Sequence, residues 1–258
     1  MKTVSRLSVA PVKGMALVHP DEISLESFGV AANRLFFVMD EDGRRYGQIR
    51  NGTLVRIEPS YDEPSGALTL RFPDGTLVEG VPQLGETLVT DFYGRAVRGR
   101  VVEGAWSEAI SRFAGRPLRL VRSDEPGAGV DRGLGTVTML SDASLEALAR
   151  QVNADGVDAR RFRMLIGIAG CEPHEEDAWL RRRVRVGAAV VRLHEQVARC
   201  AITTQNPRTG VPDLDTLREI RAYRGTREDD GKNIDFGVFG EVEVPGRVRV
   251  GDAIETLP

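Results

Sequence analysis

Residues 197–211 read VARCAITTQNPRTGV, the stretch that says most about both the fold and the chemistry of this chain. Arg199 stands beside Cys200, and a polar segment rich in turn-forming residues follows. A guanidinium lowers the pKa of a neighbouring thiol when its charge reaches the sulfur, and the thiolate is the form that binds metals or attacks substrates. The residues alone leave two interpretations of Cys200 open, a reactive thiol and a structural one.

Cys171, the other cysteine, lies between Gly170 and Glu172, and we expect it to be a structural thiol at the end of a strand. Two cysteines are too few for a disulfide scaffold, and in a cytosolic chain we expect both to be reduced. They are also too few to hold an iron–sulfur cluster without other ligands. The three histidines show no spacing typical of a closed zinc site.

The composition is that of a globular protein with one large domain or two small ones. Of the 258 residues, 41% are hydrophobic and 28% are charged. Lys and Arg number 35 against 38 Asp and Glu, a net charge of −3 that disfavours nucleic-acid binding. The longest apolar run, 164–171, is too short to span a bilayer, and Arg6 and Lys13 interrupt any N-terminal signal segment. We therefore expect a cytoplasmic protein with neither nucleic acid nor membrane as a partner.

The first half of the chain is predicted to be β-structure. Residues 4–9 alternate between apolar and polar side chains, and 35–39 form a short apolar run. Asp-Gly turns at 42–43 and 74–75 predict two hairpins, and one helix is expected at 106–113. Short, closely spaced strands of this kind are typical of a small barrel or sandwich.

The second half is predicted to combine strands with two short helices. The glycine-rich stretch 122–135 is the candidate connection between domains, and Ser141 has the position of a helix N-cap. The second helix is expected at 213–223. Further strands are predicted at 136–140, 162–168, 184–186, 189–193, 201–203, 238–244 and 248–250. The glycine spacings fit neither a dinucleotide-binding loop nor a P-loop, and no nucleophile elbow is present.

The segment from Arg199 to Val211 resembles the signature around the cysteine of MOSC domains. The resemblance is to the branch that contains the mitochondrial amidoxime-reducing component and its bacterial relatives. Further stretches match this family in the same order, at 11–13 (PVK), 33–38 (NRLFFV), 140–145 (LSDASL), 161–163 (RFR) and 250–252 (VGD). Together they extend the resemblance over essentially the whole chain.

The resemblance implies a mainly β fold (α+β by content) made of two domains. An N-terminal β-barrel-like domain is expected at 1–122, and a MOSC β-barrel with short flanking helices at 123–258. It also implies a molybdenum cofactor, a molybdopterin whose metal is bound by Cys200. Lys13, Arg34, Arg163 and Arg199 are the basic residues at positions where the family binds the anionic part of that cofactor. We expect the site to lie in the cleft between the domains.

The implied activity is that of an oxidoreductase that reduces N-hydroxylated or related N–O and S–O compounds by two electrons. Its substrate would be a small molecule, and its electrons would come from a separate flavin or iron–sulfur protein. The chain departs from the family at Gly14, Leu134, Gly135 and Leu165, which replace polar residues. Two other readings therefore stay open: a sulfur carrier that holds a persulfide on Cys200 without bound pterin, and a binding domain that has lost the chemistry.

Arg34 and Arg163 interrupt apolar segments, where an unpaired charge is costly. They therefore need an anionic partner if their side chains point inward. The pattern leaves both directions open, towards a phosphate inside the protein or outward to solvent.

Overall fold

The computed structural model describes residues 1–125, 136–227 and 231–258. The strands in chain order are β1 (Lys2–Leu7), β2 (Glu22–Leu25), β3 (Phe36–Asp40), β4 (Arg45–Tyr46), β5 (Glu58–Asp62), β6 (Ala67–Arg71), β7 (Leu77–Gly80), β8 (Gln83–Asp91), β9 (Ala96–Glu103), β10 (Leu118–Ser123), β11 (Val137–Ser141), β12 (Ile166–Ala169), β13 (Arg183–Val186), β14 (Ala189–Ala198), β15 (Asp235–Val244), β16 (Gly246–Arg249) and β17 (Ala253–Leu257). The α-helices are α1 (Ala105–Ala114), α2 (Asp142–Gln151) and α3 (Thr216–Arg224), and short 3-10 turns occupy Gly52–Arg56, Ala159–Phe162, Glu175–Trp179 and Ala201–Thr204. The predicted mainly β fold is confirmed.

Seven strands close into a barrel in the order β1-β12-β11-β15-β14-β13-β17. Alternate side chains point inward, as in β13, where Val184 and Val186 are fully buried and Arg185 is exposed. The barrel takes β1 from the first residues of the chain and β17 from the last, and the two pair antiparallel. The domain boundary after Arg122 stays a prediction. No feature of the sequence pattern indicated that the closed barrel of the second half uses this N-terminal strand.

The rest of the N-terminal half forms a five-stranded sheet, β4-β3-β10-β9-β8, and a three-stranded sheet, β5-β6-β7. Leu68 and Leu70 of the smaller sheet share one core with Phe36 of the larger. One edge strand, β8, also contacts the turn that leads into the other edge strand, β4, because the hydroxyl of Thr90 donates to the carbonyl of Gly43 at 2.9 Å. The larger sheet therefore curls towards closure, in agreement with the expected barrel-like form.

The predicted strand at 162–168 is wrong in its first half, and the predicted strand at 201–203 is wrong altogether. Residues 162–165 lie before the strand that begins at Ile166. Arg163 follows a 3-10 turn, and its own φ of 52° lies outside the extended range. Residues 201–203 form the 3-10 turn Ala201–Thr204, since the amide and hydroxyl of Thr203 both bond back to the carbonyl of Cys200.

Most of the predicted glycine-rich connection, together with Leu134 and Gly135, lies outside the described residues. Within the described ranges, no helix has both the length and the apolar character needed to cross a bilayer.

Candidate functional site

A cavity of about 760 Å³ lies where the N-terminal sheets meet the closed barrel. Its lining includes Cys200 and all four predicted basic residues, Lys13, Arg34, Arg163 and Arg199. These side chains come from four separate chain segments, and the fold brings them together around one space. The volume lies within the range of cavities that bind cofactors and drug-sized ligands.

Cys200 stands two residues beyond the end of β14, with an exposed, unbridged thiol. Its backbone is extended, and its carbonyl accepts hydrogen bonds from both the amide and the hydroxyl of Thr203, each at 3.1 Å. Thr203 is buried, and its hydroxyl also lies 2.6 Å from that of Thr216 at the start of α3. The backbone that carries the thiol is therefore fixed by contacts with the interior.

Arg161 anchors the chain just beyond that turn, and the sequence analysis did not place it in the site. Its guanidinium donates to the carbonyls of Thr204 and Gln205 at 3.2 and 2.9 Å and forms an ion pair with Asp213 at 2.7 Å. Only 8% of Arg161 is exposed. The sequence signal for Arg161 was its position beside Phe162 in the stretch that matches the family. Its hydrogen-bond partners could not be inferred locally, because they lie more than 40 residues away along the chain.

The same segment is held from the N-terminal half of the molecule. The side-chain amide of Gln205 donates to the carbonyl of Gln48 at 3.2 Å. Further along, Gly210 and Gly52 meet backbone to backbone, so that a Cβ built on either would lie 2.0 Å from the carbonyl oxygen of the other. Gly210 also has φ of 76°, which favours glycine. Both halves of the molecule therefore position the turn that begins at Cys200.

The Arg199 guanidinium is directed at backbone carbonyls and a thioether. It donates to Phe236 O at 2.7 Å, to Phe162 O at 3.0 Å and to Met164 Sδ at 2.9 Å. These bonds tie the end of β14 to the segment around Arg163. The expectation that this charge acts on the Cys200 sulfur or on a bound anion stays a prediction.

Arg34 and Arg163 both have left-handed backbones, with φ of 58° and 52°. Arg34 donates to Asn33 Oδ1 at 2.9 Å and to the carbonyl of Arg163 at 3.3 Å, which joins the two halves of the molecule. Both residues lie in turns, so the expectation that they interrupt strands is wrong. Of the six residues other than glycine with positive φ in the described ranges, three line this cavity, the third being Tyr93. Strained backbone of this kind often gathers at functional sites.

Two of the departures from the family pattern have a structural explanation. Gly14 has φ of 85°, and a Cβ there would lie 3.2 Å from the amide nitrogen of Gln48, so the turn after Lys13 favours glycine. Leu165 is buried in the barrel core, and its amide donates to the Thr138 hydroxyl at 2.9 Å. The polar group at this point of the cavity wall is therefore Thr138.

The described cavity lining is strongly positive although the chain is slightly acidic overall. Its cationic residues are Lys13, Arg34, Arg44, Arg45, Arg50, Arg161, Arg163 and Arg199, and its acidic residue is Asp91. Burial would raise the pKa of Asp40 behind Arg50, but hydrogen bonds from the Arg44 amide and the Arg50 guanidinium hold that pKa below its usual value. A cleft lined by one sign of charge concentrates ligands of the opposite sign.

The donor set suits a metal that arrives with an organic cofactor. No group of three or more His, Cys, Asp or Glu side chains that could hold a bare metal ion occurs within the described residues. One exposed thiol and a cationic wall instead match an anionic cofactor that supplies the other ligands itself. Cys171 differs, because burial, helped by Glu175, raises the pKa of its thiol to about 12 and keeps it protonated.

Comparison with protein families gives two matches along the chain. The model of the MOSC N-terminal beta barrel domain matches residues 1–104, and that of the MOSC domain matches residues 134–255. Mitochondrial amidoxime-reducing component 1 of Xenopus laevis is 27% identical over 97% of this chain and 81% of its own length. The human protein of that name is 26% identical over 99% of this chain and 83% of its own length.

A molybdenum cofactor sulfurase of Danio rerio is 24% identical over 92% of this chain and 31% of its own length. The chain therefore corresponds to less than a third of that larger protein. The amidoxime-reducing relatives are named as mitochondrial, so the expected cytoplasmic location stays a prediction.

Proposed function

We propose that this chain, which belongs to the MOSC-domain proteins and carries their N-terminal β-barrel domain, is a molybdenum-cofactor oxidoreductase. Its reaction would be the two-electron reduction of N-hydroxylated or related N–O and S–O compounds, the class suggested by the names of the amidoxime-reducing relatives. The observation that carries the proposal is an exposed, unbridged Cys200 in the wall of a cavity whose charged lining residues are mainly cations. The described residues contain no cluster of three or more His, Cys, Asp or Glu side chains that could hold a metal ion.

In this proposal Cys200 binds the molybdenum as a thiolate, and Lys13, Arg34, Arg163 and Arg199 bind the anionic part of the cofactor. When bound, the cofactor supplies the two-electron redox chemistry. The hydrogen bonds from Thr203 and the wider anchoring of the turn hold the backbone of Cys200 in one position, which lowers the entropic cost of binding. Arg34 donates to the carbonyl of Arg163, so one contact positions two of the cationic residues.

Electrons would come from a separate flavin or iron–sulfur protein, because the two cysteines of this chain cannot hold a cluster on their own. The substrate would be a small molecule that enters the cavity beside Arg44 and Tyr93, both of which are exposed at its edge.

Metal analysis of protein made in a host that synthesises molybdopterin tests the proposal. We expect about one molybdenum per chain in the wild type and near-complete loss in Cys200→Ser, since the thiolate is the protein's own ligand. Cys171→Ser is the matched control, because its thiol is half-buried and has a raised pKa. Wild-type protein without molybdenum, or equal molybdenum in Cys200→Ser, would refute the proposal.

A sulfur carrier is the second candidate, favoured by the exposed Cys200 thiol and by the sulfurase relative. In that case the Cys200 thiolate would take one sulfur atom from a polysulfide to form a persulfide, while the polysulfide is shortened by that atom. Intact mass after polysulfide treatment should then rise by about 32 Da in wild-type protein and in Cys171→Ser, reversibly with a thiol reductant. An unchanged mass would rule this candidate out.

A further inference from the structure

Two arginines of the cavity lining, Arg44 and Arg45, bind neither the metal nor the cofactor in the proposed function. Arg44 lies in the turn between β3 and β4, and its side chain is 70% exposed. Its acidic neighbour, Asp42, is equally exposed and 3.7 Å away, a pair that water screens strongly. The Arg45 guanidinium lies 3.4 Å from the centre of the Tyr93 ring.

The hairpin that carries these two arginines is held in place from several sides. Arg45 pairs with Met39 in the sheet. The Thr90 hydroxyl donates to the Gly43 carbonyl at 2.9 Å, which attaches the hairpin to the end of β8. Tyr93, under Arg45, sits in the turn after β8 with φ of 58°. The Arg45 guanidinium therefore has a defined position at the edge of the cavity, and the hairpin places Arg44 next to it.

Apolar surface lies beside this charge. Ile49 and Tyr93 both line the cavity, and each is 62% exposed. Binding sites commonly combine apolar walls with a few charged groups that fix the orientation of the ligand. The cavity edge formed by Arg44, Arg45, Ile49 and Tyr93 has this composition, and we call it the cavity mouth.

Other cations of the lining already have partners. Arg50 forms an ion pair with Asp40 at 2.8 Å, and Arg161 forms one with Asp213 at 2.7 Å. The proposed cofactor would take Lys13, Arg34, Arg163 and Arg199. The exposed Arg44 and the half-buried Arg45 thus remain as the positive charges that an incoming substrate meets.

We propose that the cavity mouth selects substrates in which an apolar or aromatic body carries a negatively charged group, a carboxylate, sulfonate or phosphate. This inference rests on the proposed function and names the substrate class of the same site. A substrate with a positive charge would be repelled by both guanidinium groups, and a neutral one would gain only the apolar contacts.

The test compares three reducible probes that differ in charge at one position: benzamidoxime, its para-carboxylate and its para-trimethylammonium derivative. With the molybdenum-loaded enzyme, we expect kcat/KM for the carboxylate to exceed that for the ammonium probe by roughly tenfold to thirtyfold, mainly through KM. Added salt should reduce the ratio, because Arg44 is exposed and Arg45 is only half-buried. In Arg44→Gln/Arg45→Gln the ratio should approach one.

The matched control is Arg112→Gln/Arg218→Gln, which removes two exposed arginines that lie outside the cavity lining. It changes the net charge of the protein by the same amount, and we expect it to keep the wild-type ratio. Equal kcat/KM for the three probes, or an unchanged ratio in Arg44→Gln/Arg45→Gln, would overturn the inference.

Binding measurements separate this inference from the proposed function. Calorimetry with para-carboxybenzamide and its ammonium counterpart, which cannot be reduced, should show the same order of affinity. If the loaded enzyme reduces none of the amidoximes, the proposed function fails, and the calorimetry still decides whether the cavity mouth selects by charge. Equal affinities for the two amides would overturn the inference that the cavity mouth selects by charge, whether or not the proposed function holds.

Discussion

The two cysteines lie beyond the ends of two barrel strands, yet their surroundings differ. Cys171 follows β12, where burial and the carboxylates of Glu175 and Glu176 raise the pKa of its thiol to about 12. Cys200 follows β14 and is exposed at a cavity whose charged lining residues are mainly cations. The same side chain is therefore kept protonated at one position and accessible at the other, which shows that the neighbouring elements decide its chemistry.

The largest expected change in stability on the Cys200 side comes from Gly210→Ala. The added methyl group would push the turn after Cys200 away from Gly52. A Cβ at Gly210 would meet the Gly52 carbonyl at 2.0 Å in a left-handed backbone, so we expect the free energy of unfolding to fall by about 3 kcal/mol. Denaturant unfolding measures the change. Gly75→Ala is the control, with φ of 88° and open space around it, and should lose about 1 kcal/mol. Equal losses of unfolding free energy in the two variants would mean that the close approach of Gly210 to Gly52 does not add to the cost of the substitution.

Thiol alkylation compares the two cysteines directly. With iodoacetamide at pH 8, we expect Cys200 to react roughly 50-fold or more faster than Cys171, because the raised pKa of Cys171 leaves very little thiolate and burial limits access. Mass spectrometry of peptides over time gives both rates in the same sample. Similar rates would show that the barrel does not protect Cys171.

Local signals in the sequence predicted much of the scaffold around both cysteines. Ser141 caps α2 through a hydrogen bond from the amide of Ser144, and Gly115 ends α1 in a left-handed conformation. Each depends on residues within one turn of helix, which a sequence shows directly.

The errors lie where distant residues decide the local conformation. The apolar run at 162–168 is typical of a strand, but Arg199, more than 30 residues away, bonds to the carbonyl of Phe162 and the sulfur of Met164. Arg161 went unnoticed for the same reason, since its partners Gln205 and Asp213 come from a different segment. The five predicted site residues do line one cavity, and that prediction came from matched motifs rather than from periodicity.

The Cys171 end of the barrel should also carry a pH dependence. His174 is half-buried beside Arg224, and burial, then that charge, lowers its pKa from about 6.5 to about 4. The unfolded chain binds this proton more tightly, so stability is complete above pH 6.5 and falls as the pH drops towards 4. Allowing for partial exposure, we expect a loss of about 2 kcal/mol.

Unfolding experiments at pH 7 and pH 4 isolate this contribution when wild type is compared with His174→Asn. Asparagine tolerates the left-handed backbone at this position, where φ is 62°, and carries no proton in this range. The variant should lose less stability on acidification by about the same 2 kcal/mol. An identical acid response in both proteins would show that the His174 proton does not contribute.

The smallest expected difference concerns the two helix starts, one near each cysteine. Ser141 caps α2 in a fully buried position near Cys171, where its amide also donates to Glu176 at 3.2 Å. Asp215 caps α3 beside the Cys200 turn in an exposed position, accepting from the amide of Arg218 at 3.1 Å.

Removing a cap leaves an amide without a partner, and water can replace the lost acceptor only where the helix start is exposed. We therefore expect Ser141→Ala to lower the free energy of unfolding by about 1.5 kcal/mol and Asp215→Ala by about 0.7 kcal/mol. Denaturant unfolding at pH 7 resolves such a difference when both variants keep the wild-type m-value. A larger loss in Asp215→Ala than in Ser141→Ala would contradict this prediction. It would mean that burial of the helix start does not decide how much a cap contributes.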